Sequence, residues 1–304
     1  MNEQNFPDRR MQMLLNYQEK QHLVHIMFVL PALAVIAVFM VYPVIMNIGY
    51  SFTNWNGISS DFSFVGWDNY RRVLASREFV GIITNTIFFA IIYLPVLNIM
   101  ALLLACLIRA CGKLSAFFKA IIYFPCLLAP AVVGYIWRLI YDVNNGLLNK
   151  ILRSIGLEVA ALNWLGQKNT VLPSIALTVI WACVGYYMIL YYAGIMAVPL
   201  EQYESAKIDG ASVIGRFFHI TLPNIRSSIR MNLVFSTMGV ITMFDIPYTM
   251  TGGGPGYNSM TLALQIYQYN FNLQPNLGVT MTVTLLLFTI AVVLTQNFLL
   301  GKED

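Results

Sequence analysis

The stretch Glu201-Gln-Tyr-Glu-Ser-Ala-Lys-Ile-Asp-Gly-Ala-Ser-Val-Ile-Gly-Arg-Phe-Phe-His-Ile-Thr-Leu-Pro223 separates two long apolar runs, residues 171–198 and about 229–250. Its residues predict a short helix over 200–208 and a turn at Asp209-Gly210, since glycine readily adopts positive φ. A second helix follows, capped by Ser212 and carrying Val213, Ile214, Phe217 and Phe218. Pro223 stands where the chain turns back toward the second run. Ala206, Gly210 and Ala211 offer almost no side-chain bulk, so a partner surface can approach the backbone closely. A helix lying flat on an inner leaflet favours a basic polar face, whereas Glu201, Glu204 and Asp209 make this one acidic. The insert reads as a docking element.

Around it the chain is built for lipid. Of 304 residues, 58% are hydrophobic and 11% charged, where a soluble domain carries about a quarter charged. Six stretches reach the roughly 20 apolar residues that a bilayer core requires: about 24–50, 79–108, 117–141, 171–198, 229–250 and 277–300. A polar tail, 1–23, precedes the first run, which is also too long for the apolar core of a cleaved signal peptide. A few polar residues, 301–304, close the chain. Pro43, Pro95, Pro125, Pro130 and Pro173 fall inside spans and predict kinked, tightly packed helices. The net charge of +4 comes without a Lys/Arg run, which argues against nucleic acid as a partner. Cys106, Cys111, Cys126 and Cys183 have no CxxC spacing and read as small apolar packing residues. His22, His25 and His219 form no metal constellation.

Orientation follows from the basic residues of the short loops. With the N-terminus inside, Arg9, Arg10, Lys20, Arg109, Lys113, Lys119, Lys207, Arg216, Arg226, Arg230 and Lys302 face the cytoplasm. Arg71, Arg72, Arg77, Lys150, Arg153 and Lys168 face out, and this is the smaller set. An even number of spans puts both termini, and the insert, on the cytoplasmic side.

Glu204, Ala206, Asp209, Gly210, Ala211, Ile220, Leu222 and Pro223 match the EAA loop pattern of binding-protein-dependent ABC import permeases. Ser205 departs from the motif's first alanine, a small-for-small exchange. Phe64-Val-Gly-Trp-Asp-Asn-Tyr70 resembles the FVGxxNY element of the maltose- and glycerol-phosphate-type branch. Phe244-Asp245 followed by Thr251-Gly-Gly-Gly-Pro255 resembles its FD…TxGGP stretch, typical of the first of two permeases. This resemblance implies an all-α membrane protein of six transmembrane helices with a cytoplasmic coupling-helix loop, the type I ABC importer permease architecture. It implies a carbohydrate importer, with a di- or oligosaccharide as cargo, in a bacterial plasma (inner) membrane. The implied partners are a second homologous permease, two cytoplasmic ABC ATPase subunits, an extracytoplasmic solute-binding protein and the lipid bilayer. The Thr251–Gly256 run lacks the Lys-Ser/Thr of a phosphate-binding loop, and no Walker A sequence occurs elsewhere. The chain is therefore expected to be no enzyme and to hold no cofactor, with ATP and magnesium bound by the partner ATPases.

Sugars need hydrogen-bond partners for hydroxyls and aromatic faces for their C–H surfaces. Asn85, Tyr186, Tyr187, Ser236, Thr242 and Asp245 are the candidate pathway residues, each with helix packing as its alternative role. Asp245, a carboxylate within an apolar run, is a functional candidate by default. By analogy with the maltose-type pocket, Tyr186 and Ser236 lie on the helices flanking the loop. Val240 and Met243 stand where polar groups help hold maltose, which weighs against that sugar. Residues 144–156 read as a short amphipathic helix on the outer leaflet or against the binding protein. Glycerol phosphate as cargo calls for Arg or Lys in the pathway, and the spans lack them away from their ends. An ion-coupled secondary transporter calls for a repeated midplane acidic site, for which Asp245 is the lone acidic residue. A membrane enzyme calls for a His/Asp/Glu or metal cluster at one interface, and none is visible.

Overall fold

A computed structural model describes residues 26–272 and 274–301. The tail 1–23 and the charges Arg9, Arg10, Lys20 and Lys302 counted for orientation lie outside the described residues, as do His22 and His25. Four helices are long and apolar enough to cross a bilayer: α1 (Ile26–Tyr50), α3 (Arg77–Ala110), α7 (Lys168–Met196) and α13 (Pro275–Leu300). Two bent pairs add up to two more: α4 (Ser115–Tyr123) with α5 (Pro130–Ile140), and α10 (Arg226–Ile241) with α11 (Asp245–Thr251). Short helices α2 (Asp68–Ala75), α6 (Leu147–Ser154), α8 (Leu200–Ile208), α9 (Val213–Arg216) and α12 (Leu262–Asn272) connect them. No strand occurs among the described residues beyond an isolated bridge between Thr53 and Phe64.

The third apolar stretch does not run as one straight rod. The α4 and α5 segments diverge by 95°. Pro130 contributes to the break: the residue before a proline is pushed out of the helical region, and Ala129 has ψ of 133°. Leu128 before it is extended too, with ψ of 141°, whereas Phe124 before Pro125 stays helical. Pro95 and Pro173, by contrast, sit inside continuous helices. The fifth stretch bends by 41° between Ile241 and Asp245.

The core forms where α3 meets α7. Small buried residues lie in this core, Ala101 and Ala105 on α3 and Ala176 on α7. Phe89, Tyr93, Leu97, Met188 and Tyr191 fill the space beside them. By contrast, α1 is exposed at every residue from 26 to 45. Among the described residues it is held near its end. There Asn69 donates to the carbonyls of Ser51 (3.0 Å) and Thr53 (2.7 Å), Tyr70 pairs its hydroxyl with Ser51 Oγ, and Thr280 of α13 donates to Ser51 O. The Phe64–Tyr70 motif is thus a clasp tying α1 to α13.

On α6, Leu148 packs toward the core while Leu147, Ile151 and Ile155 stay exposed. Asn149, which the helix pattern sets apart from the apolar face, is fully buried. It donates to Val143 O and Leu162 O and accepts from Trp164 Nε1 at 2.8 Å.

Candidate functional site

The insert forms a helical hairpin. α8 ends in a Schellman cap: Ala211 N–H donates to Ala206 O and Gly210 N–H to Lys207 O, with Gly210 at φ +78°. Ser212 Oγ then accepts from Gly215 N–H at 3.1 Å and starts α9. α9 continues through a widened π turn, Phe217–Thr221, and a last turn at Leu222–Asn224. The helix over 200–208, the positive-φ turn and the Ser212 cap are all found where their residues predict them.

The hairpin's matched residues divide by exposure. Ala206, Ala211, Ile220 and Leu222 are half-buried, with Ile220 packed on the core. Glu204, Asp209, Gly210 and Pro223 are exposed. Ile208, Val213 and Ile214 are exposed as well, at 86%, 73% and 71%. Such large apolar side chains, beside two carboxylates and off the end of the bundle, form a mixed surface of the kind that partner proteins bury. The pattern of small residues did not single out Tyr203, which anchors the hairpin. Its ring lies 4.1 Å from the Arg109 guanidinium, and its hydroxyl pairs with Thr221 Oγ1 at 3.0 Å.

α7 and α10 leave the hairpin side by side. A Cβ at Gly194 would collide with Ser228 Oγ, so the two helices touch closely at their base. Further along, a cleft of about 390 Å³ opens between α4, the α4–α5 break, α7 and the α10–α11 bend. Of the candidate pathway residues, Tyr186, Tyr187, Thr242 and Asp245 line it. Tyr186 and Tyr187 meet edge to face at 5.2 Å; the first is exposed and the second buried. Thr242 Oγ1 donates to Met238 O, and Asp245 opens α11 with its side chain exposed. Tyr123, Cys126, Cys183, Met243 and Phe244 complete the aromatic and soft lining, and none of the lining residues is a lysine or arginine. Tyr123 and Cys126 were illegible as site residues because no local pattern marks the seating of α4 on α7 beside the cleft.

Asn85 and Ser236 lie elsewhere. Asn85 Nδ2 donates to Tyr257 O and Met260 O, latching α3 to the segment after the glycine turn. Ser236 is fully buried between helices, accepting from Asn98 Nδ2 at 3.1 Å while Tyr191 donates to Asn98 Oδ1 at 2.8 Å. Three helices meet in that polar node. The glycine run is a tight turn, with Gly252, Gly253 and Gly256 at positive φ and Thr251 Oγ1 paired with Ser259 Oγ.

Comparison with known proteins gives the family and the fold. Residues 63–301 match the family described as binding-protein-dependent transport system inner membrane component. The chain belongs to that family. The probable ABC transporter permease protein YurN of Bacillus subtilis (strain 168) is 32% identical over 283 residues, 91% of this chain and 97% of its own. The trehalose/maltose transport system permease protein MalF of Thermococcus litoralis (strain ATCC 51850 / DSM 5473 / JCM 8560 / NS-C) is 30% identical over 292 residues, 96% and 97% of the two chains. In the crystal structure of a bacterial ABC transporter involved in import of the acidic polysaccharide alginate, one chain matches with a TM-score of 0.82 at 22% identity. That match covers 96% of this chain and 99% of that one, and it establishes the fold. This member of the inner-membrane component family is accordingly an all-α, multi-pass membrane protein with the type I importer permease architecture.

Proposed function

We propose that this permease forms, with a second homologous permease, the translocation pathway of an ATP-driven importer for an uncharged di- or oligosaccharide. The hairpin at residues 201–223 is the cytoplasmic coupling loop, both termini are cytoplasmic, and each bent helix pair makes one of six passes. Two ABC ATPase subunits, which bind ATP and magnesium, grip the exposed side of the hairpin, and an extracytoplasmic binding protein delivers the sugar. The observation that carries this reading is the hairpin itself: Glu204, Ile208, Asp209, Val213 and Ile214 are exposed at the base of α7 and α10. Tyr186–Tyr187 and Thr242 stand on those helices about 20 Å away, so a hairpin shift is transmitted to the cleft by two rigid rods. The ATPases' preference for one hairpin position then becomes a bias between two pathway conformations.

The relatives with carbohydrate in their names support the cargo class. So does the cleft: its aromatic faces and hydroxyls suit sugar, and the lack of Lys or Arg in its lining disfavours glycerol phosphate. The test is uptake of labelled oligosaccharides into proteoliposomes holding the chain with its co-purifying subunits and the binding protein. Uptake is expected only with internal ATP and magnesium, and without an ion gradient. Uptake that proceeds without ATP and collapses with an uncoupler would instead establish an ion-coupled transporter.

A further inference from the structure

A second cavity, of about 350 Å³, lies beneath the hairpin and apart from the cleft. One part of its wall is apolar: Ala110, Ile195, Val213 and Phe217. The other carries two guanidiniums from different elements, Arg109 at the end of α3 and Arg216 on α9. Both are half-buried, and neither has a carboxylate within ion-pair distance among the described residues. The Tyr203 face meets Arg109 but cannot neutralise it. Partly desolvated cations facing one space without a counter-charge are costly, and an anion that enters relieves that cost. Guanidinium forks match the oxygens of phosphate, two donors at a time. The cavity also sits where the apolar helix α3 ends, next to the hairpin.

We propose that this cavity binds a phosphate-bearing anion, supplied by the headgroup of an anionic phospholipid. The phosphate bridges Arg109 on the fixed framework and Arg216 on the hairpin, while the glycerol and first acyl carbons cover Val213, Phe217 and Ile195. A bound lipid thereby ties the hairpin's position to the membrane's composition. The assignment is independent of cargo and of the leaflet involved.

The chain, purified with its co-purifying subunits, is delipidated and placed in nanodiscs. Three conditions are compared: phosphatidylcholine alone, phosphatidylcholine with phosphatidylglycerol, and phosphatidylcholine alone with inorganic phosphate in the buffer. Native mass spectrometry reads retained lipid, and hydrogen exchange reads the amides of residues 213–217. Phosphatidylglycerol is expected to be retained and to protect those amides, with R109Q/R216Q retaining it about tenfold more weakly and R109K/R216K intermediate. Should the glutamine pair fail to fold, the single variants R109Q and R216Q are each expected to weaken retention, and undiminished retention in both would overturn the site. Equal retention in wild type and folded R109Q/R216Q overturns the site. Protection by inorganic phosphate alone supports the anion site and overturns the lipid source. Protection by neither overturns both.

Discussion

Gly210 and Asn98 mark two ways in which a single residue matters in this permease. Gly210 holds φ at +78° with open space around the position a Cβ would take. A side chain there meets no internal neighbour, and the backbone strain is about 1–2 kcal/mol for an ordinary residue. Asparagine tolerates that conformation. Gly210→Asn is therefore expected to retain much of the uptake. Gly210→Leu should insert and fold at normal levels yet lose ATPase co-purification and uptake, because its bulk points only outward. Normal uptake by Gly210→Leu would remove the hairpin from the coupling pathway. Asn98 acts inward, joining Ser236 and Tyr191 in a buried interhelix node. Asn98→Ala leaves both partners short of a bond, at a cost of about 1–2 kcal/mol. It should lower the melting temperature in detergent, whereas Thr242→Val, at the cleft, should alter uptake and leave melting unchanged. The sequence could not separate Ser236 from Thr242, since a hydroxyl in an apolar run reads the same whether it bonds a helix or faces a cleft. The partner decides, and Asn98 stands 138 positions away.

Among the elements, the hairpin was the most legible because its signals are local. A positive-φ glycine, a capping serine and a run of small residues need no tertiary context to be read. The α4–α5 segment was the least legible. Its prolines announce a disturbance, but similar prolines at 95 and 173 leave their helices continuous. What differs is the neighbour. A Cβ on Gly185 of α7 would overlap the carbonyl of Ile122 and stand 2.7 Å from Tyr123 Cα, so the end of α4 is seated directly on α7. Backbone on backbone cannot yield as a flexible side chain can. Gly185→Ala is expected to cost about 1–3 kcal/mol by forced displacement, and a thermal melt of the purified complex would register it. Gly81 on α3, with nothing within 4 Å, supplies the control. There an added methyl should leave melting unchanged or raise it slightly. Equal effects at the two sites would mean that α4 is not held by this contact.

At the scale of the whole molecule, the six apolar stretches gave the class and the balance of basic loops an expected orientation, while shape came from contacts no local pattern encodes. The exposed length of α1, residues 26–45, leaves an apolar helix for lipid or another subunit to cover. Orientation has a reporter built into the chain. Cys111 is exposed at the end of α3, beside Arg109 and Ala110 of the cavity beneath the hairpin, so it shares the hairpin's side of the bilayer. Cys106, Cys126 and Cys183 are half-buried, the first in that cavity and the other two in the cleft. A membrane-impermeant maleimide should therefore react fastest at Cys111. In sealed right-side-out vesicles the reagent is expected to leave Cys111 untouched, and in inside-out vesicles to label it rapidly, with Cys111→Ser setting the background. The two termini, the hairpin and Cys111 stand or fall together in this experiment, because the six passes proposed above put them on one side. Rapid labelling from outside would invert the topology and place the hairpin where no ATP is available to drive it.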